Sequence, residues 1–168
     1  MKKMTMSVRV VNTAGVLTRV AGLFSRRNYN IDSLTVSATT DPNLSVITLV
    51  VTGEDEILEQ IRKQVAKLED VQEITLLKDG MSVCRELTLV KIAAKAEQRP
   101  QIIAITDIFR AKIVDVAEES LIIEITGNQA KLDAFIGLLH GFEIKELVRT
   151  GITGLPRGRA DMLAGEFD

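Results

Sequence analysis

The stretch Met4-Thr5-Met6-Ser7-Val8-Arg9-Val10-Val11-Asn12-Thr13-Ala14-Gly15-Val16-Leu17-Thr18-Arg19-Val20, followed by Arg27-Asn28-Tyr29-Asn30-Ile31, decides how this chain folds. Met4, Met6, Val8 and Val10 alternate with Thr5, Ser7 and Arg9, the period-two pattern of a half-buried strand. Val16, Leu17, Val20, Leu23 and Phe24 then fall at helical spacing, which makes Asn12 to Gly15 a strand-to-helix turn. Such a turn aims unpaired backbone N–H groups and the positive end of a helix dipole at one point. A small anion fits there, and Gly15 leaves room for its close approach. The spacing is too long and too poor in glycine for a dinucleotide loop, and no P-loop lysine follows. A small carboxylate is favoured over a nucleotide. The same residues admit a plainer reading, in which Asn12 or Thr13 caps the helix.

Working outward, residues 31–38 read as a strand with Leu34, Val36 and Ala38 on one face. Asp41-Pro42-Asn43 turns it back onto a strand over residues 44–52. There Val46, Ile47, Leu49, Val50 and Val51 leave both faces apolar. One face packs on helices, and the other is expected to meet a partner. Gly53-Glu54-Asp55-Glu56 opens a second helix with acids in its first turn, as the dipole prefers. Its stripe is Ile57, Leu58, Ile61, Val65 and Leu68. Residues 71–77 supply a fourth strand, and Lys78-Asp79-Gly80 breaks the pattern.

The second half repeats that order. Residues 86–94 form a strand, Pro100 sits at the first position of a helix, and Ile102, Ile105 and Phe109 face inward. A hairpin around Glu118-Glu119-Ser120 joins residues 113–116 to 121–126. Leu132, Phe135, Ile136 and Leu139 mark a fourth helix, and residues 142–148 a last strand. The reading is α+β: two consecutive ferredoxin-like βαββαβ domains, over residues 1–80 and 81–168. Domains this small tend to self-associate, most often across a two-fold axis. The glycine-rich tail from Thr150 to Asp168 reads as mobile.

Composition removes several classes of function. Apolar residues are 46% and charged residues 26% of the chain, with a net charge of −2 and the signs interleaved, which does not mark a nucleic-acid surface. No apolar run reaches the roughly 20 residues that cross a bilayer, and the N-terminus enters a strand with no apparent signal peptide. A single cysteine, Cys84, allows neither a disulfide framework nor a thiolate metal cluster, which points to a reducing cytoplasm. His140, the one histidine, ends an amphipathic helix beside Gly141 and reads as a dipole-stabilised imidazole. No metal-ligand spacing is present. Five phenylalanines and one tyrosine, without tryptophan, offer little for base stacking. The chain reads as a non-enzyme by itself, with no cofactor of its own.

The turn at Asn12 gains meaning from Asn30, although Asn30 alone could simply bond to its own turn. One amide begins the first helix and the other begins the strand after it. A carboxylate on the helix N–H groups, an ammonium on amide and carbonyl groups, and a small side chain among Val16, Leu17 and Ile31 would together hold an aliphatic α-amino acid.

These residues resemble a known family. Asn12-x-x-Gly15-Val16-Leu17-x-Arg19-Val20-x-x-Leu23-Phe24, then Tyr29-Asn30-Ile31-x-Ser33-Leu34-x-Val36, is similar to the ACT domain of the regulatory (small) subunit of acetolactate synthase, or acetohydroxyacid synthase. The resemblance continues through Asp41-Pro42, Leu89-Val90-Lys91-Ile92, Phe109-Arg110, Lys131-Leu132-Asp133-Ala134-Phe135 and Arg149-Thr150-Gly151. The first-half pattern is generic to amino-acid sensing; the second-half motifs make the match specific.

The resemblance implies a non-catalytic partner of a catalytic subunit that carries thiamine diphosphate, Mg²⁺ and FAD and condenses pyruvate with pyruvate or 2-oxobutyrate. The small subunit raises that activity and confers feedback inhibition by valine in branched-chain amino-acid biosynthesis. It implies a homodimer in which paired ACT domains share one sheet and hold valine at their interface. Asn12 and Gly15 would come from one protomer and Asn30 and Ile31 from the other, with Val16 and Leu17 in the same loop. Asn28 departs from the glycine of many members, and asparagine also tolerates a left-handed turn. Two rival readings remain: a free-standing ACT-type amino-acid-responsive regulator, and an enzyme of ferredoxin-like fold.

Overall fold

The computed structural model describes residues 1–158; the part of the tail from Arg159 to Asp168 lies outside the described residues. The chain divides into two compact units, one of Met1–Cys84 with the segment that starts at Ile152, the other Arg85–Gly151.

In the first unit the elements run β1 (Lys2–Val11), α1 (Val16–Arg26), β2 (Ser33–Ala38), β3 (Leu44–Gly53), α2 (Asp55–Ala66) and β4 (Val71–Leu76). The strands form one antiparallel sheet in the order β2-β3-β1-β4. Met6 faces Leu49 and Val8 faces Ile47 across β1 and β3, and all four are buried against Val20, Phe24, Ile61 and Val65 of the helices. The alternation seen in the sequence is thus the helix-facing side of the central strands. Phe24 and Tyr29 pack edge to face, with ring centroids 6.2 Å apart.

The second unit repeats the plan with β5 (Ser82–Ala93), α3 (Arg99–Ile108), β6 (Lys112–Val116), β7 (Ser120–Gly127), α4 (Gln129–Leu138) and β8 (Ile144–Arg149). Strand order is β6-β7-β5-β8, again antiparallel. Val90, Ile92, Ile123 and Ile125 close its core on Ile102, Leu132 and Phe135. The fold is α+β with tandem ferredoxin-like units, as the periodicities require.

A shared helix ending underlines the repeat. Asn28 (φ 56°) follows α1 and Arg110 (φ 54°) follows α3. In each, the next N–H reaches back to the last helical turn: Tyr29 to the Phe24 carbonyl and Ala111 to the Thr106 carbonyl, both at 2.9 Å. These are glycine-type helix stops made by other residues.

Three local expectations change. The strand after α1 begins at Ser33 rather than Ile31, because the left-handed stop at Asn28 is followed by a loop in which Asn30 bonds Asp32. Leu34 and Val36 pair with Leu49 and Ile47 on the helix side, yet are 36% and 46% exposed because β2 is an edge strand. The described part of the tail is structured. Thr153–Pro156 forms β9, paired with β5. Ile152 N–H donates to Ser33 Oγ at 3.3 Å and Arg157 N–H to the Met81 carbonyl at 2.8 Å. Ser33 is the cross-strand neighbour of Val50, on the sheet face away from the helices. There Thr48 and Val50 are already buried in the single chain, so that part of the face is not left open for a partner as the apolar run suggested.

Candidate functional site

The turn between β1 and α1 is built from both sides. Asn12 N–H donates to the Asn43 carbonyl at 2.7 Å, and Asn12 Nδ2 to the Pro42 carbonyl at 3.1 Å. The β2–β3 hairpin therefore holds Asn12 by main chain and side chain together. Asp41 shapes that hairpin by accepting the Asn43 N–H at 2.9 Å.

Gly15 is the residue that starts α1, with φ 86° in the left-handed region. Neither Asn12 nor Thr13 caps the helix; no side chain does, and its first turn carries no acid. Val16 N–H reaches only the Thr13 carbonyl, at 3.5 Å. The first-turn N–H groups are thus open to an incoming acceptor. A Cβ on Gly15 would stand 2.9 Å from Arg19 Nη1. The remaining guanidinium nitrogens of Arg19 grip Asp70 at 2.6 and 2.9 Å. This hydrogen-bonded pairing holds the Asp70 carboxyl below its usual range and pushes Arg19 up. The spot combines a helix start with an arginine edge, and it favours an anion.

Of the proposed pocket residues, Asn12 and Gly15 are exposed at this turn and Leu17 is 44% exposed. Val16 is 5% exposed and its side chain belongs to the core, so only its main chain can face a ligand. Asn30 is exposed and Ile31 half-buried, in the loop after α1. α1 runs between the two groups over 11 residues, a rise of roughly 16 Å. One chain does not bring them together.

The second unit shows what a closed version of the turn looks like. There Arg99 donates to the carbonyls of Ala94, Ala117 and Glu118, and Gln98 Oε1 accepts the Lys95 N–H. The loop before α3 is filled by its own side chains. An open cavity of about 580 Å³ does occur in the first unit, but Lys2, Met4, Asp55, Leu58, Leu76 and Lys78 line it and no turn residue does. Sequence reasoning missed Asp70 and Asp32, whose roles depend on long-range contacts; Pro42, and Arg19 four residues after Gly15, were visible as motif positions without these roles.

Among the described residues no group of His, Cys, Asp and Glu could hold a metal ion, and no helix is long and apolar enough to cross a membrane. Cys84 lies against Gly154 and His140 is an exposed turn residue just past α4.

Comparison with known proteins agrees with this architecture. Residues 6–73 match the family described as the acetohydroxyacid synthase small subunit-like ACT domain, and residues 85–158 the small subunit of acetolactate synthase. The chain is 48% identical to an acetolactate synthase small subunit from Mycobacterium bovis, over 94% of each chain. It is 44% identical to the acetolactate synthase isozyme 3 small subunit of Escherichia coli, over 91% of this chain and 94% of that one. The crystal structure of an acetolactate synthase small subunit from Thermotoga maritima superposes with a TM-score of 0.86 at 40% identity, covering 94% of this chain and 98% of that one. With an ACT domain in front and the second unit matched across nearly its whole length, the chain belongs to the acetolactate synthase small-subunit family.

Proposed function

We propose that this chain is a non-catalytic regulatory subunit that raises the activity of an acetolactate synthase catalytic subunit and makes it sensitive to valine. The observation that carries the reading is the start of α1: a left-handed glycine, no cap, no acid in the first turn, and Arg19 alongside. A free α-amino acid supplies the carboxylate that such a start favours. Thiamine diphosphate, Mg²⁺ and FAD belong to the catalytic partner in this reading.

The pocket is completed by a second copy. β2 is an outer strand of its sheet, and its exposed Leu34 and Val36, with Leu17 of α1, supply an apolar rim for pairing. Antiparallel pairing of two β2 strands across a two-fold axis sets the start of one β2 beside the end of the other. The start follows Asn30 and Ile31; the end leads into the hairpin that holds Asn12. Each dimer would then carry two pockets, each with Asn12 and Gly15 from one chain and Asn30 and Ile31 from the other. Valine inhibits by binding one state of the assembly better than another. The segment 152–157, docked on β2 at Ser33, is the route by which that ordering leaves the first unit.

Acetolactate formation by the separately purified catalytic subunit tests this, with and without the chain and with and without valine. The expected result is a higher rate with the chain and valine inhibition only in its presence. An unchanged rate would leave the free-standing regulator as the better reading.

A further inference from the structure

Both pocket amides are held by their nitrogens. Asn12 Nδ2 donates to the Pro42 carbonyl at 3.1 Å, and Asn30 Nδ2 donates to Asp32 Oδ1 at 3.2 Å. A carbonyl and a carboxylate only accept, so the amide orientation in each case is dictated by its partner. In both residues the amide oxygen is left for a ligand, with the second N–H of the same NH₂ beside it.

Asp32 is itself fixed. Its Oδ2 accepts Thr52 Oγ1–H at 2.6 Å, and its N–H donates to the Val50 carbonyl at 2.8 Å. The β3 strand thus sets Asp32, and Asp32 sets Asn30. At the other half of the pocket the β2–β3 hairpin sets Asn12 in the same sense. Helix N–H groups and the Arg19 edge favour an acceptor; two amide oxygens favour a donor.

We propose that Asp32 is a positioning residue that turns Asn30 so that two amide oxygens read the α-ammonium of the effector. The inference rests on the shared pocket proposed above and adds what that pocket discriminates. A 2-oxo or 2-hydroxy acid of the same carbon skeleton offers the same carboxylate and the same side chain. A 2-oxo group brings no donor to these two oxygens, and a hydroxyl brings one uncharged donor. The pocket therefore separates the amino acid from its oxo and hydroxy counterparts by its amino group alone.

Titration calorimetry on the full chain tests this with L-valine, L-2-hydroxy-3-methylbutanoate and 3-methyl-2-oxobutanoate. Wild type should bind valine, with both analogues weaker by roughly tenfold or more, as loss of a charge-assisted hydrogen bond requires. Asp32→Asn keeps the size of the side chain but can present its own NH₂ to Asn30, which frees that amide to turn. Valine should weaken about three- to tenfold in the variant, a fraction of a charged hydrogen bond, while the analogues change little, so the ratio falls. Thr52→Val, which releases the other oxygen of Asp32, should lower the ratio in the same direction.

Analogues that bind wild type as tightly as valine would overturn the inference and leave the pocket standing. So would an Asp32→Asn variant that weakens all three ligands equally, since that marks a merely structural role. A wild-type chain that binds no valine would remove the pocket, and the inference with it.

Discussion

Arg19 joins Asp70 through two parallel contacts, Nε to Oδ2 at 2.6 Å and Nη2 to Oδ1 at 2.9 Å, and so ties α1 to the loop before β4. Asp70 is anchored at its main chain too, where its carbonyl accepts the Val11 N–H at 2.9 Å. The pair fixes the third guanidinium nitrogen against Gly15. One ion pair thereby braces the end of β1, the start of α1 and the turn between them.

The pairing has a pH signature. The hydrogen bond from Arg19 lowers the Asp70 carboxyl from its ordinary value of 3.8. A group with a depressed folded pKa contributes stability above its unfolded pKa and loses it as pH falls through the folded one. The melting temperature of wild type should exceed that of Asp70→Asn at neutral pH, and the gap should close in acid below the carboxylate range. A gap that stays constant across thermal melts from pH 7 to strong acid would mean the charge of Asp70 does not matter.

Gly15→Ala has two costs. A side chain at φ 86° is strained, by about 1–2 kcal/mol, and its Cβ displaces the Arg19 tip that stands 2.9 Å away. That tip is the end of a side chain and can give by a few tenths of an ångström, so the backbone term dominates. Melting should fall by about 2–8 °C, and valine inhibition should weaken while activation of the catalytic subunit persists. Gly15→Asp adds a carboxylate opposite the ligand's own, and valine at wild-type concentrations should then fail to inhibit.

Gly154 is the tightest point of the returning tail. A Cβ there would meet Cys84 Sγ at 2.7 Å, the Val83 carbonyl at 2.9 Å and Leu77 Cδ1 at 3.0 Å. The carbonyl cannot swing aside, so Gly154→Ala should lift β9 from β5 at a cost of about 1–3 kcal/mol. Amide exchange should quicken at Arg157 and Ile152, whose N–H groups bond Met81 and Ser33. Unchanged protection at both amides would show that β9 tolerates the methyl.

What could be read from residues alone follows from the range of the interactions. Met4 to Val10 alternate and Val16 to Phe24 recur at helical spacing because each pattern is local, and the order of elements in both units came out of such patterns. The left-handed turn at Asn28 was legible only through the resemblance, where many members carry glycine at that position. β9 was not: Thr153-Gly154-Leu155-Pro156 has no period of its own and becomes a strand only because β5 is there to pair with it. Val16 looked like pocket lining because it adjoins Gly15, but the phase of α1 turns it into the core. Asp70 and Asp32 carried no local mark, since their partners Arg19 and Thr52 lie 51 and 20 residues away in sequence. Asn12 and Asn30 stood out as residue types. Their separation along α1 appears only in three dimensions.

That separation allows the central claim to be tested by mixing. Asn12→Ala alone and Asn30→Ala alone should each lose valine response, with affinity lower by roughly 5- to 150-fold for one hydrogen bond removed, while activation of the catalytic subunit persists. In a dimer of one chain of each kind, a shared pocket concentrates both changes in one site and leaves the other site intact. Co-refolding equal amounts of the two variants and measuring valine inhibition of acetolactate formation should therefore show one restored wild-type pocket in about half of the dimers, since random pairing gives mixed dimers that fraction of the time. If the mixture responds to valine no better than either variant alone, the pocket lies within a single chain or elsewhere, and the account fails.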